Sequence, residues 1–342
     1  MRKAEQHLVS ERMKKNRIAE LSLTPPWPSH VNIELNNACN HSCAFCAYSV
    51  MERTKGNISQ ERLERWLLEA YELGSRVLGL HSGAEPFASP QLEHFTGYAK
   101  KIGYEYVYIS TNGSLATPER MKKVIDAGMD SIKFSINGGD PETYQKIHGK
   151  DHFDKVLGHL RFASEYRGQR KKPYLSISYV IVDANAHTVD RLQKLTDGLV
   201  DEFVSFHATN QSGQVPGVGG PTLFLTEGVC AIPFNKLYIS WEGFLRVCCN
   251  DYENLLALED LNRVSLKEAY YGKRFQEIRR RHMENKLEGT LCHNCKNNCQ
   301  TPVQPLNTEL YFVTHRTDQG PPISYSPKIF RKIPFEPTLS VV

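Results

Sequence analysis

Three cysteines lie within eight residues of one another, in the segment Cys39-Asn-His-Ser-Cys43-Ala-Phe-Cys46. A β-rich run, residues 31–36, directly precedes them, so we expect the thiols on a loop that follows a first strand. Three thiolates at this spacing can bind three irons of a cubane iron–sulfur cluster and leave the fourth iron without a protein ligand. The alternative is a structural zinc site, which needs four ligands. His41 lies within the loop but is poorly placed to complete a tetrahedron with its own neighbours.

A second group of cysteines begins only after 183 positions without any. Its members are Cys230, Cys248, Cys249, Cys292, Cys295 and Cys299. In a chain without an export signal, thiols are more often metal ligands or catalysts than disulfides. The distribution therefore predicts two separate metal sites. Zinc ribbons use similar paired spacings, so the spacing of the second group leaves zinc and iron–sulfur both open.

Composition narrows the class of protein. The 342 residues suggest one large domain, or one large and one small domain. Forty-two Lys and Arg against 38 Asp and Glu give a net charge of +4, which argues against a dedicated nucleic-acid binder. No apolar run reaches the roughly 18 residues that cross a bilayer, and the N-terminus lacks the apolar core of a signal peptide. We expect a cytoplasmic protein with no membrane or nucleic-acid partner.

The elements that position the first cysteines follow a βα alternation. Six β-rich runs are predicted as strands: 31–36, 76–82, 104–110, 130–136, 175–182 and 202–208. Three helices are expected to begin at a capping residue followed by proline, at Ser89-Pro90, Thr117-Pro118 and Asp140-Pro141. Gly74, Gly103 and Gly128 fall where helices should end. Repeated βα units predict parallel strands, in an open sheet or a full or partial barrel, with function at the carboxyl ends of the strands.

After residue 209 the pattern changes. Residues 210–229 are rich in Gly and Pro and are predicted to form a linker or active-site flap. Residues 235–249 predict a hairpin around Glu242-Gly243, and a helix is expected from about Ser265 to Glu284. The proline-rich last 40 residues are expected to form a surface tail.

These motifs carry a resemblance to a known family. The C-x3-C-x2-C loop after the first strand, with Phe45 before its last cysteine, resembles the signature of the radical S-adenosylmethionine (SAM) enzymes. Ser82-Gly83-Ala84-Glu85-Pro86 is similar to the family's Gly-Gly-Glu-Pro segment, whose backbone holds the SAM amino group. Two further matches, each after a strand, are Ser110-Thr111-Asn112-Gly113 and Ser135-Ile136-Asn137-Gly138. The resemblance covers roughly residues 30–210 and implies a partial six-stranded β/α barrel.

The resemblance also implies cofactors and their binding residues. Cys39, Cys43 and Cys46 would hold a 4Fe–4S cluster whose open iron binds SAM, and its reductive cleavage would give a 5′-deoxyadenosyl radical. The electron would come from an external reductant such as flavodoxin or ferredoxin. The residues implied in SAM binding are Phe45, Gly83, Ala84, Glu85, Pro86, Thr111, Asn112, Ser135 and Asn137. The family often has Asp where Asn137 stands.

The C-terminal cysteines resemble a SPASM or twitch extension. Its four-cysteine pattern is matched by Cys230-x12-Gly243-x4-Cys248, followed by Cys292-x2-Cys295. The resemblance implies one auxiliary 4Fe–4S cluster on these four cysteines. The remaining two, Cys249 and Cys299, are too few to ligate a second cluster, and Cys299 is kept as a reserve ligand.

Cys249 has a functional interpretation and a structural one. In some radical SAM epimerases a thiol returns a hydrogen atom to the substrate radical, and Cys249 is our candidate for that catalytic role. Because adjacent strand residues point to opposite faces, we expect Cys249 to face away from a cluster bound by Cys248. The alternative is a small buried apolar residue, the commonest use of a free cysteine.

Together these observations predict an α/β protein with a partial (β/α)6 TIM-like barrel and a small C-terminal hairpin-plus-helix domain that binds an auxiliary cluster. The expected divisions are an N-terminal arm 1–30, a radical SAM core 31–209, the linker 210–229, an auxiliary-cluster domain 230–300 and a tail 301–342. We expect a radical SAM oxidoreductase or epimerase that acts on a polar small molecule, such as a sugar, aminocyclitol or nucleoside, in a biosynthetic pathway. Only about 30 residues precede the first strand, which favours a small molecule over a ribosomally made peptide with a leader. The alternatives are a maturase of such a peptide and a non-catalytic iron–sulfur or zinc protein.

Polar side chains near the predicted strand ends favour a hydroxyl- or amine-rich substrate. They are Asn36, His81, Tyr179, His207 and Asn210.

Overall fold

A computed structural model describes residues 21–215, 217–219, 225–226 and 228–315 of the chain. Most of the predicted N-terminal arm, parts of the predicted linker and the tail from residue 316 lie outside these described residues. Within them, no helix combines the length and apolar character that crossing a membrane would require.

All six predicted strands are present and parallel to their neighbours. They are β1 (His30–Ile33), β2 (Val77–Gly79), β3 (Tyr106–Thr111), β4 (Ser131–Ser135), β5 (Tyr174–Ile181) and β6 (Glu202–His207). They lie side by side in chain order, and β6 forms one edge of a sheet that does not close. The predicted fold class is confirmed.

The two faces of this sheet differ in chemistry. On the face that carries the helices, the register partners Val31, Leu78 and Val107 are all fully buried. Side chains on the opposite face, here called the interior face, come from alternate positions, for example Ser110 and its register partner Lys133. Hydrophobic burial on the first face therefore fixes the register that aims polar side chains into the interior.

Eleven helices are named here. They are α1 (Gln60–Glu72), α2 (Leu92–Ile102), α3 (Pro118–Asp126), α4 (Pro141–His148), α5 (Phe153–Arg167), α6 (Val189–Leu195), α7 (Ile232–Asn235), α8 (Leu266–Tyr271), α9 (Lys273–Met283), α10 (Leu291–Asn297) and α11 (Thr308–Thr314). Thr117 and Asp140 cap α3 and α4 as predicted, each accepting a backbone N–H three residues on. The predicted start at Ser89-Pro90 is wrong, because a short 3-10 turn occupies Pro86–Ala88 and α2 begins only at Leu92.

The C-terminal hairpin forms around Glu242-Gly243 as predicted, but it does not stand apart from the barrel. Its strands are β9 (Lys236–Ile239) and β10 (Phe244–Arg246), and β11 (Ala257–Asp260) pairs with β10; a separate short pair is β7 (Leu225–Thr226) and β8 (Val229–Cys230). β9 pairs in parallel with β1, so one nine-stranded sheet runs from β11 to β6. The hairpin pattern in the sequence predicted these two strands. It could not indicate that they extend a sheet whose first strand lies some 200 residues earlier in the chain.

Two other expectations for the C-terminal region need correction. The helix expected over 265–284 is two helices, α8 and α9, because Gly272 between them has an extended backbone (φ −67°, ψ 163°). The segment expected as a surface tail contributes α11 to the core, with Leu310 and Tyr311 buried.

Candidate active site

The three-cysteine loop is fixed by the end of α4. The backbone N–H groups of Ser42 and Ala44 donate to the carbonyls of His148 (3.2 Å) and Ile147 (2.9 Å), which are among the last carbonyls of that helix. Gly149 follows in a left-handed conformation (φ 70°), and a Cβ there would lie 2.3 Å from the Ser42 hydroxyl oxygen. Glycine at this position therefore allows the loop to approach the helix closely.

The three cysteines of the loop are half-buried, and their thiols influence one another electrostatically. Burial raises the pKa of Cys39 to about 12, and burial together with the two neighbouring thiols raises the pKa of Cys43 well above its ordinary value. Burial also raises the pKa of Cys46. Buried thiolates need a cationic partner, and iron supplies one. Three thiols that influence one another on one short loop thus fit the donor set of a site-differentiated cluster.

Each thiol also contacts a residue outside the loop. The side-chain amide of Asn112 lies 3.8 Å from Cys39 Sγ, His148 Nδ1 lies 3.4 Å from Cys43 Sγ, and the Tyr252 hydroxyl lies 3.6 Å from Cys46 Sγ. Of these three partners, sequence reasoning named only Asn112. His148 and Tyr252 come from α4 and from the loop after β10, and no local pattern connects them with the cysteines.

His41 is closer to a ligand position than the sequence indicated. One donor atom each from His41, Cys43 and His148 lies within 4.8 Å of the others, close enough to hold a metal ion together. This set uses only one of the three cysteines, and His41 Nε2 is 3.1 Å from His152 Nδ1. The all-cysteine set accounts for all three thiols of the loop.

The segment expected to hold SAM also joins two strand ends. The Glu85 carboxylate accepts hydrogen bonds from the Thr111 hydroxyl (2.6 Å) and from the backbone N–H groups of Asn112 (2.7 Å) and Phe87 (3.0 Å). Burial nevertheless raises the pKa of Glu85 to about 7. Its side chain thus fastens the loop after β2, which includes Gly83, Ala84 and Pro86, to the loop after β3.

Of the other residues expected to bind SAM, Asn137 has a side-chain amide that is hydrogen-bonded within the chain. Its oxygen accepts the Val180 N–H at 2.6 Å, and its nitrogen lies 3.2 Å from His148 Nε2. Ser135 lies on the interior face, 3.3 Å from Ser110 between hydroxyl oxygens, and Phe45 is half-buried in the cysteine loop. Contacts of these residues with SAM stay predictions.

The C-terminal cysteines line one small, partly open cavity of about 80 Å3. Those that reach it are Cys230, Cys248, Cys249, Cys292 and Cys295. The rest of the lining is largely apolar, including Val247, Leu256 and Leu287. Cys299 is not in this lining, and its thiol donates to Asn294 Oδ1 at 3.3 Å. The four cysteines predicted as auxiliary-cluster ligands therefore lie together at this cavity, with Cys249 beside them, and Cys299 lies outside its lining.

The expectation that Cys249 faces away from the site bound by Cys248 is wrong, because both cysteines line the same cavity. β10 ends at Arg246, so the alternation of a strand does not extend to the two cysteines, which lie beyond it. The two thiols are close enough to influence each other's pKa, as is the Tyr238 hydroxyl, and Cys249 Sγ donates to Asn250 Oδ1 at 3.9 Å. Because Tyr238 lies on the interior face, in register with Asn32 and Arg246, Cys249 stands between the cavity and the barrel interior.

The interior face is polar along several strands. Arg246 donates to the Ser82 hydroxyl at 3.2 Å, and His30 Nε2 lies 2.6 Å from the Tyr108 hydroxyl. His81 is packed against Tyr108, with ring centroids 5.1 Å apart, and burial lowers the pKa of His81 to about 3, assisted by Lys133. A neutral imidazole therefore lies in this interior at physiological pH.

The other polar residues expected at the rim divide into two groups. The Asn36 amide donates to the Glu85 carbonyl, and the Tyr179 hydroxyl donates to the Asn185 carbonyl at 2.7 Å. These two side chains stabilise the strand ends. His207 is exposed at the end of β6, and the buried Oδ1 of Asn210 has no hydrogen-bond partner among the described residues.

A buried charge network links the two cysteine regions. The Arg53 guanidinium, just beyond the first cysteines, donates to the Glu34 carboxylate at 2.8 Å and to that of Glu242 in the hairpin turn at 3.0 Å. Burial alone would raise the pKa of Glu34, but Arg246 and Arg53 together lower it. The Glu253 carboxylate accepts a hydrogen bond from the backbone N–H of Arg53 at 2.9 Å, which adds a second attachment.

Comparison with known proteins agrees with both cysteine regions. Residues 33–195 match the Radical SAM superfamily, and residues 230–299 match SPASM, an iron–sulfur cluster-binding domain. The chain carries a radical SAM domain followed by a SPASM domain. The first match contains the three-cysteine loop and the second contains the six C-terminal cysteines. A radical SAM domain implies a 4Fe–4S cluster and SAM, and a SPASM domain implies auxiliary iron–sulfur binding.

Curated relatives match part of this radical SAM protein. A PqqA peptide cyclase of Rhizobium meliloti is 35% identical over 138 residues, which are 39% of this chain and 36% of the relative. A probable GTP 3′,8-cyclase of Saccharolobus solfataricus is 32% identical over 133 residues, 39% of this chain and 42% of the relative. The chain thus spans less than half the length of either relative.

Solved structures of other radical SAM proteins share the fold. SuiB of Streptococcus suis, bound to the precursor peptide SuiA, aligns with a TM-score of 0.63 and 15% identity over 79% of this chain and 69% of SuiB. BtrN in complex with AdoMet and 2-DOIA aligns with a TM-score of 0.53 and 17% identity, over 79% of this chain and 92% of BtrN.

Proposed function

We propose that this radical SAM protein is an oxidoreductase or epimerase that acts on a polar small molecule, such as a sugar, aminocyclitol or nucleoside. The observation that carries the proposal is the polar interior face of the sheet, which the nearby Cys249 and Tyr252 border. Hydroxyl groups of Ser110, Ser135 and Tyr238 lie on this face and can exchange hydrogen bonds with a hydroxyl- or amine-bearing substrate.

Cys39, Cys43 and Cys46 hold the SAM-binding cluster in this proposal, and Cys230, Cys248, Cys292 and Cys295 hold one auxiliary cluster. When bound, the first cluster and SAM supply a 5′-deoxyadenosyl radical that removes a hydrogen atom from an unactivated C–H bond. An external one-electron reductant, such as a flavodoxin or ferredoxin, is the proposed partner.

The contribution of the protein is orientation and exclusion of water. Tyr252 lies beside Cys46 and also over Gly83, where an added Cβ would come within 2.7 Å of its ring. It therefore covers the place where the cysteine loop and the expected SAM-binding segment meet. Cys249 is proposed as the thiol that returns hydrogen to the substrate radical, because it lies near enough to the Tyr238 hydroxyl on the interior face for that hydroxyl to affect its pKa.

The proposal is tested by reductive SAM cleavage. Anaerobically reconstituted protein with dithionite should form 5′-deoxyadenosine, and a panel of sugars, aminocyclitols and nucleosides should contain a compound that accelerates it. With that compound deuterated at the attacked carbon, deuterium should appear in 5′-deoxyadenosine. Absence of SAM cleavage from cluster-loaded protein would contradict the proposal.

A peptide substrate is the second candidate. It is favoured by the PqqA peptide cyclase among the relatives and by the higher TM-score with SuiB, which was solved with a precursor peptide. The same assay separates the two candidates. Acceleration by ribosomally made peptides alone, with deuterium transferred from a labelled residue, would replace the small molecule by a peptide.

A further inference from the structure

The imidazole ring of His148, the last residue of α4, is contacted on one face and on both edges. Its side chain is buried, and the Tyr144 ring stacks on it with centroids 4.1 Å apart and planes inclined by 19°. One ring nitrogen faces the backbone after β4, and the other faces the cysteine loop. Rotation of the ring would break contacts on each side, so its orientation is well defined.

The hydrogen bonds assign the position of the ring proton. The Asn137 backbone N–H lies 3.0 Å from His148 Nε2, and a backbone amide can only donate. Nε2 therefore accepts and carries no proton. The Asn137 side-chain nitrogen donates to the same atom at 3.2 Å, an orientation fixed by its oxygen, which accepts the Val180 N–H. The single proton of the neutral ring is then on Nδ1.

Nδ1 lies 3.4 Å from Cys43 Sγ, so its N–H donates to that sulfur. We propose that His148 is a positioning residue that raises the reduction potential of the SAM-binding cluster through this N–H···S hydrogen bond. The inference rests on the proposed ligation of that cluster by Cys43. Reduction adds negative charge to the cluster and its thiolates, and a hydrogen-bond donor to a ligand sulfur stabilises that charge.

Three substitutions separate the donor from the rest of the ring. His148→Phe keeps an aromatic ring against Tyr144 and removes both nitrogens. His148→Asn places an amide close to the position of Nδ1, where its NH2 can donate to Cys43. His148→Gln places its amide near the position of Nε2, where its oxygen can accept the Asn137 N–H and no donor faces the sulfur. Gln and Asn are thus matched in chemistry and differ in which edge of the ring they replace.

The measurement is a potentiometric titration of the anaerobically reconstituted full chain, followed by electron paramagnetic resonance. The relevant signal is the one whose shape changes when SAM is added, because SAM binds the open iron of this cluster. We expect a more negative midpoint potential for His148→Phe and His148→Gln, and a value near that of the wild type for His148→Asn. The control is His94→Gln, because His94 is exposed and its Nε2 pairs with the Glu64 carboxylate at 2.6 Å.

Equal midpoint potentials in the wild type, His148→Phe and His148→Gln would overturn the proposal. The proposed function would still stand in that case, because the SAM-sensitive signal would be present. Absence of that signal from the wild type would contradict the proposed function instead. Protein grown with 15N-histidine adds a second readout. A weak 15N hyperfine coupling that disappears in His148→Phe is expected for a hydrogen bond, whereas a strong coupling would show that His148 ligates iron and would also overturn the proposal.

Discussion

The two cysteine regions are built in opposite ways. The first places three thiols on one eight-residue loop, so a single short segment determines the spacing of the sulfurs. The second brings thiols from β8, from the turn after β10 and from α10 to one cavity. A local site depends mainly on its own loop and the elements that support it, whereas an assembled site depends on the packing of a whole region. Loss of one ligand should therefore have different consequences in the two regions.

The largest effect is expected when the local site is removed. Replacing Cys39, Cys43 and Cys46 together by Ala should abolish reductive SAM cleavage, because the open iron is lost with its ligands. Iron should fall from about eight to about four per chain, since the auxiliary cluster remains. Iron analysis and 5′-deoxyadenosine formation are the measurements. Continued formation of 5′-deoxyadenosine by the triple variant would show that the SAM-binding cluster is elsewhere.

Loss of one assembled ligand should affect stability as well as iron content. Cys292→Ala should lose the auxiliary cluster and lower the unfolding temperature of the reconstituted protein, because the metal connects three separate segments. Cys299→Ala is the matched control, as Cys299 is not in the cavity lining and should keep its iron. If Cys299→Ala lost iron and Cys292→Ala kept it, the quartet proposed here would be wrong.

Arg53 tests whether the two regions are joined energetically. Arg53→Met leaves the buried carboxylates of Glu34 and Glu242 without this partner, and breaking a buried ion pair costs about 3–5 kcal/mol in the free energy of unfolding. The exposed pair of Arg263 with Glu309 offers a control, for which Arg263→Met should cost about 0–1 kcal/mol. Denaturant unfolding gives both values. Similar costs for the two variants would mean that the regions are held together by other contacts.

The smallest structural change is expected for Cys249→Ala, and its effect should be on the product. In an epimerase the variant should cleave SAM and abstract hydrogen normally but stop forming the inverted product. The wild-type product should contain solvent deuterium, because S–H exchanges with water. If Cys249→Ala turned over at the wild-type rate to the same product, Cys249 would have only a packing role, and dehydrogenation through the auxiliary cluster would be favoured. Loss of iron would instead make Cys249 a ligand, which its place in the cavity lining allows.

Sequence patterns predicted most of what is local. The six strands, two of the three helix caps that are followed by proline and the hairpin all depend on side chains near one another in the chain. Gly103, for example, ends α2 in a left-handed conformation as its position indicated. The misplaced start of α2 arose because Pro86 begins a 3-10 turn under the cap of Glu85, a side chain whose main partners lie after β3.

Contacts between distant segments could not be predicted. His148 follows Ile147 at the end of a helix and precedes a glycine, which indicates a helix end and gives no sign of a thiol 105 residues away. Tyr252 reaches Cys46 across 206 residues, and the pairing of β9 with β1 brings the two halves together. These are tertiary contacts, fixed by which surfaces pack together after the local elements have formed.

The parallel pairing of β1 with β9 makes the SPASM region a poor candidate for exchange between proteins. A chimera that took everything from β9 onward from another protein would place a foreign strand beside Val31 and Ile33 and a foreign hairpin turn beside Arg53. During synthesis, β1 has its partner β2 early, but its other edge stays open until β9 has left the ribosome. Expression of the first half alone would leave that edge available to other chains, and exposed strand edges are sites of aggregation. The two matched domains are therefore separate in sequence but share one sheet.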